Sequence, residues 1–235
     1  PPLFAATTPD DGVLHETWPV DQPDALQRWK SLLGPKDVFI ADGHHRYNTA
    51  LNYLQELHRG GVDPGDADAC LFVLVALQDP GMIVLPTHRV LGGMTGFNIE
   101  RFQQVAEGTL RLEPAPGGHL EALEQAVRDH PAPHVFGLYT SDSPEAPCWI
   151  AHTVENDPLA QSHPDQSDAW RQLDVAILQH LVVEKLCQPN FAPGREIAWK
   201  FPHDVHEVKR LTDSDDYQLG VIMRPTPLDS VRRVS

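Results

Sequence analysis

Basic residues are scarce in this sequence: 18 lysines and arginines face 33 aspartates and glutamates, for a formal charge of −15. A field of that sign repels nucleic acid and acidic membrane surfaces, and argues against a DNA-binding role. Long apolar runs are missing as well. The continuous apolar stretch Ala69 to Leu77 falls far short of the roughly 18 residues needed to cross a bilayer. Pro1-Pro2 opens nothing like a secretory leader. Cysteine is rare, and Cys70, Cys148 and Cys187 form neither a metal-ligand spacing nor an even disulfide set, so buried thiols are the default. There are no repeats and no low-complexity tract. Gly92-Gly93 and Gly117-Gly118 lack the helix-and-lysine sequel of a P-loop, and Ser141 and Ser143 lack a nucleophile elbow. What remains is the profile of a soluble, cytoplasmic protein. Its 235 residues suffice for one large domain or two small ones.

Against this plain background, residues 37–47 stand out. The apolar run Val38-Phe39-Ile40-Ala41 feeds Asp42-Gly43, then His44, His45, Arg46 and Tyr47. Tyr47, Ala50, Leu51, Leu54 and Leu57 recur at helical spacing, and Gly60-Gly61 ends the pattern. The sequence therefore predicts a strand, a polar turn and a helix opening near His44. The first N–H groups of a helix have no internal partner and the helix dipole favours negative charge there, so this order suits a phosphate. Cations in the first turn cost stability unless an anion binds beside them. The plainer account is that Asp42 caps the helix and the basic groups sit in water.

Ala41-Asp42-Gly43-His44-His45-Arg46-Tyr47 resembles the signature of the domain of unknown function 1015 family. Further stretches are similar in the same order: Gly12-Val13-Leu14-His15 with Trp18, Pro80-Gly81, Leu85-Pro86-Thr87-His88-Arg89-Val90, Leu173-Asp174-Val175 and Arg224-Pro225-Thr226. The Asp-Gly-His-His-Arg core is also similar to the phosphate motif of the ParB/sulfiredoxin group, which includes partition-type nucleotide switches, sulfiredoxins and free serine kinases. Sulfiredoxins need a reactive cysteine where this chain has His44, which excludes that chemistry. The serine kinases carry the nearer motif. The resemblance implies a ParB/sulfiredoxin-like core around the strand-turn-helix, and a chain that is part of a longer protein, consistent with the absence of an initiator methionine.

A coarse pass predicts an α/β protein with a mixed sheet flanked by helices. Helices are expected over Asp24–Leu33, from Asn98 through Glu107, and over His119–Asp129, Leu173–Leu186 and His203–Leu211. Strands are expected over Ala69–Leu77, returning as a hairpin at Met82–Pro86, then over His134–Thr140 paired with Cys148–Val154, Glu196–Phe201 and Tyr217–Met223. The polar, proline-containing stretch from Asn156 to Asp168 suggests a core domain over 1–155 and a C-terminal α/β subdomain over 156–235, although one domain with an excursion fits equally.

Two further groups carry chemistry. Thr87, His88 and Arg89 are placed at a strand end, where a hydroxyl, an imidazole and a guanidinium suit phosphate; a surface feature is the simpler account. Glu16 is a candidate general base, with His15 and Trp18 as substrate-binding neighbours, against a core Trp18 beside exposed His15 and Glu16. His203 and His206 with Glu207 read most simply as a solvated helix face, and Asp213, Asp215 and Asp216 as a soluble loop.

The expected activity is nucleotide-dependent phosphoryl transfer to a small hydroxyl metabolite, with free serine suggested by the resemblance. Gly43, His44, His45 and Arg46 would hold phosphate. Asp42, His44 and His45 would serve catalysis, with Asp42 also taking Mg²⁺ alongside ATP or ADP. Nucleic-acid and membrane partners are not expected. Two rivals stand: a nucleotide-binding switch without transfer chemistry, and a metal-dependent phosphate-ester hydrolase using Asp42, His44, His45 and His88.

Overall fold

The computed structural model describes all residues except 10, 11, 144–146, 215 and 235. The chain divides into two compact units, Pro1–His44 and His45–Ser235.

The first unit holds an antiparallel hairpin, β1 (Phe4–Thr7) with β2 (Leu14–Thr17), in which Phe4 faces Thr17 and Thr7 faces Leu14. Helix α1 (Pro23–Leu33) follows, and it contains no buried residue. Proline in its first turn presets a helical φ, while Asp24 near the start and Lys30 near the end match the helix dipole. The predicted helix is therefore present. The hairpin was not read from the sequence, because its strands are exposed and lack the alternation that one-sided burial imposes.

Helix α2 (His44–Arg59) starts at the last residue of the first unit, and the rest of it, from His45, belongs to the second. Tyr47, Ala50, Leu54 and Leu57 are half-buried on its expected apolar face, and Gly61 turns left-handed at φ 65° just beyond its end. The strand expected at Ala69–Leu77 and its return at Met82–Pro86 are corrected: among the described residues, 69–86 contain no strand. Composition favoured a strand there, but a strand also needs a ladder partner for its N–H and C=O groups. The sheet of this unit ends at other edges, and Leu71 is 94% exposed.

That sheet has six strands: β3 (Arg89–Gly92), β4 (Leu110–Pro114), β5 (Val135–Tyr139), β6 (Cys148–Thr153), β7 (Ala198–Lys200) and β8 (Tyr217–Ile222), in the order β4-β6-β5-β8-β3-β7. Every pairing is antiparallel, so the mixed sheet expected from the sequence gives way to an antiparallel one within a mixed α/β fold. Strand β8 lies between β5 and β3, which makes the chain beyond residue 156 part of the same sheet.

The pleat sends neighbouring residues to two cores. Leu91, Leu138, Ala151 and Val221 face one side, which is covered by α3 (Ile99–Ala106) and a long helix from Asp174 to Phe191. Val90, Tyr139, Ile150 and Ile222 face the other, covered by α4 (Leu120–Asp129) and the later helix Val205–Thr212. Asn98 starts α3 as expected by accepting the Arg101 N–H at 2.8 Å. The long helix departs from expectation at its centre, where Leu178–Cys187 is wound as a π-helix. We number its α-helical ends α5 (Asp174–Ile177) and α6 (Gln188–Phe191), and the later helix α7 (Val205–Thr212).

Helix α7 lies close to the sheet at Gly220. A Cβ there would stand 2.5 Å from Val208 Cγ1 and 3.0 Å from Thr212 Oγ1. Both neighbours are fully buried, so there is little room for them to yield. Gly220→Ala is expected to destabilise the fold by ~2 kcal/mol in denaturant unfolding. A loss below ~0.5 kcal/mol would mean that this approach is not tight.

Candidate functional site

The turn and the helix start follow the sequence, but the strand expected over Val38–Ala41 is corrected: among the described residues, 37–41 contain no strand, since an apolar run without a ladder partner forms none. Gly43 has φ 87°, a left-handed conformation that a side chain at this position would strain. Helix α2 then begins with His44, His45 and Arg46, and no acidic residue occupies its first turn. Asp42, His44, His45 and Arg46 are exposed, and Gly43 is half-buried. Tyr47 lies on the half-buried face, its ring 6.0 Å from that of Phe72. The motif thus presents its polar groups to solvent, and only the residues beyond it pack.

His15 and Glu16 lie on β2, and Trp18 follows it; all three are exposed, Trp18 to 55%. Trp18 is therefore not a core residue of its unit.

Thr87, His88 and Arg89 stand elsewhere than the strand-end reading placed them. They lead into a strand, because β3 starts at Arg89. His88 is fully buried. Its backbone N–H donates to Pro202 O at 2.8 Å, and its ring Nδ1 accepts the Met223 N–H at 3.1 Å. The neutral ring then carries its proton on Nε2, which has no hydrogen-bond partner among the described residues. Burial, aided by the Arg89 and His203 charges and opposed by Asp204, pushes His88 down to about 4. Arg89 turns back on its own backbone, donating to Thr87 O at 2.6 Å and His88 O at 3.1 Å. Its guanidinium lies 4.8 Å from the Phe201 ring centroid. These contacts tie His88 and Arg89 to the sheet. Among the described residues, no three His, Cys, Asp or Glu side chains come together as metal ligands.

A different gathering of polar groups, which no motif in the sequence marks, stands near the start of α4. A cavity of about 440 Å³ opens beside the start of α4 and the end of β5, lined among others by His119, Glu121, Tyr139, His206, Lys209 and Asp213. Tyr139 donates its hydroxyl to Asp213 at 2.7 Å and accepts from Lys209 Nζ at 3.2 Å, and Lys209 also pairs with Asp213. Burial and the Asp213 hydrogen bond hold the Tyr139 phenol above its ordinary range. The hydrogen bonds to Asp213 and Tyr139 raise Lys209 and keep it charged. Burial alone would raise Asp213, but the bonds from Lys209 and Tyr139 win and lower it. Across the cavity lining, Glu121 contacts His119 Nδ1 at 3.0 Å and His206 Nδ1 at 3.6 Å. Its own backbone N–H and His119 hold its carboxyl below the usual range. Asp213 and His206, expected from the sequence in a soluble loop and on a solvated helix face, both line this cavity; Asp215 lies outside the described residues. No sequence signal could have joined these groups, since they come from three separate stretches of the chain, at 119–121, 139 and 206–213.

Fold and motif together define a mixed α/β protein with a cation-bearing helix start. The chain belongs to the family described as Protein of unknown function (DUF1015), whose model matches residues 1–176. The match takes in the motif and β1 to β6, and stops short of β7 and β8. No curated protein and no solved structure matches the chain. Among the described residues, no helix is long and apolar enough to cross a membrane.

Proposed function

We propose that this protein is a nucleotide-dependent phosphotransferase acting on a small hydroxyl metabolite, free serine or a close relative. One observation carries the reading: a 16-residue helix begins with two histidines and an arginine, with no carboxylate in that turn. The dipole disfavours such a start by ~0.3–1 kcal/mol per cation, and a bound phosphate reverses the sign. A ParB/sulfiredoxin-like arrangement around the motif belongs to the same proposal and rests on the resemblance of residues 41–47.

Phosphoryl transfer asks a protein mainly to position groups and neutralise charge. The N–H groups from Gly43 to His45 would cradle phosphate oxygens, and Arg46 would clamp one through two parallel bonds. One of His44 and His45 would donate to a bridging or terminal oxygen. Asp42 is an exposed carboxylate, the hard-oxygen donor that Mg²⁺ takes together with substrate phosphates, and the ion would neutralise their charge. Glu16 is kept as a candidate general base, with His15 and Trp18 as its neighbours in sequence. The proposal assigns no phosphate contact to His88, whose ring is committed to the core, and none is needed from Thr87 or Arg89.

Phosphorus NMR with ATP or ADP, Mg²⁺ and a mixture of hydroxyl metabolites tests the reading. A new phosphate-monoester resonance is expected. Inorganic phosphate alone would replace transfer with hydrolysis, and an unchanged nucleotide spectrum would leave a switch or scaffold in its place.

A further inference from the structure

The cavity beside α4 shares no residue with the motif at 42–46 and lies wholly within the sheet-bearing unit. Its volume falls in the range of small-molecule sites, roughly 300–1,000 Å³. Leu120 and Pro147 contribute apolar surface to its lining, and charges of both signs stand in the same lining. Asp213 is satisfied from within, by Tyr139 and Lys209. Lys209 spends two of its three ammonium protons on that pair and on the tyrosine oxygen, which leaves a donor for a ligand. Glu121 is held at the first turn of α4, where His119, the N-cap of that helix, and His206 of α7 approach it.

An anion entering this cavity gains Lys209 but faces Glu121. A simple cation gains Glu121 but faces Lys209. Only a molecule that carries both charges meets both groups favourably, and opposed charges on a wall exclude singly charged competitors as firmly as they attract the right ligand. The geometry points to a binding site for a small zwitterion, its carboxylate on Lys209 and its ammonium on Glu121. Tyr139 and Asp213 act as positioning residues: they fix the lysine rather than touch the ligand. The cavity could hold an aliphatic chain between the charged ends.

Calorimetric titration and thermal unfolding of the full chain, without nucleotide, test this with glycine, β-alanine, 4-aminobutyrate and 5-aminopentanoate. One length in this series is expected to bind and to raise the unfolding midpoint as its concentration rises, since a ligand of the folded state stabilises by mass action. The carboxylate and the amine of matching length, each lacking the other charge, should bind at least tenfold more weakly. Glu121→Gln and Lys209→Gln should each weaken the best zwitterion roughly tenfold to a hundredfold, as expected for a lost charged hydrogen bond. Both side chains are more than half exposed, so the variants should fold, which circular dichroism checks. The site is overturned if no member of the series binds, if the singly charged analogues bind as tightly, or if both variants bind unchanged. The assay uses neither nucleotide nor the motif, so its failure is separate from any failure of phosphoryl transfer.

Discussion

Acidification from pH 7 to about 4 is expected to cost the fold ~3 kcal/mol through His88 alone. The ring is buried, and its pKa falls from an ordinary 6.5 to about 4. Between those values the unfolded chain takes up a proton that the folded chain refuses. The contribution is therefore complete above pH 6.5 and lost as pH falls toward 4. His134 works in the opposite window. It is buried, with Nδ1 at 2.8 Å from Asp174 and Nε2 at 3.0 Å from Gln172. Burial pulls its pKa down, but the Asp174 hydrogen bond and charge outweigh burial and raise it. Its contribution is present below 6.5 and fades as pH rises through the folded value. For this pair of residues, stability should thus peak near pH 6.5. Denaturant midpoints at pH 7 and 4.5, for wild type and His88→Asn, isolate the acid limb. Asn keeps an acceptor in place of Nδ1 and cannot titrate. If the two proteins lose stability in parallel on acidification, His88 is not the group responsible.

The sequence made His88 look like a surface ligand because Thr87-His88-Arg89 is a polar run. The strand it enters is covered on both faces: Val90 belongs to one core and Leu91 to the other. Such a strand shows no alternation, so neither its start nor the burial of its first neighbours can be counted from hydrophobic period. Helices with a polar outer face were legible, as α1, α3 and α4 illustrate, because caps and a 3.6-residue stripe fix them locally. β5 and β6 were legible as a pair for their apolar content. Residues 69–77 misled for the converse reason. Their β-branched and apolar composition describes a strand, but composition says nothing about whether a partner edge exists. The π-winding of 178–187 was hidden by its near-continuous burial, which erases the stripe from which helical pitch is read. The backbone at residues 43–59 was legible because glycine, the polar turn and the apolar face all agree. The cavity at Tyr139 and Lys209 was not, since only tertiary packing gathers its members.

Arg46→Ala is expected to lower nucleotide-dependent phosphoryl transfer by about a hundredfold to a thousandfold, the cost of removing one preorganised donor from a charged transition state. Arg46 is exposed, so its removal opens no cavity, and the contacts of an exposed side chain are worth about 0–1 kcal/mol. The same change should therefore leave stability within ~1 kcal/mol of wild type. A large loss of activity with little loss of stability is what a residue kept for folding would not show. Arg46→Lys should fall between, because lysine keeps the charge and loses the two-pronged geometry. Steady-state turnover and denaturant unfolding on the same preparations supply both readings. Turnover of Arg46→Ala within tenfold of wild type, only ~1.4 kcal/mol of barrier, would remove Arg46 from the reaction. A clear loss of stability would instead assign it to holding α2 in place.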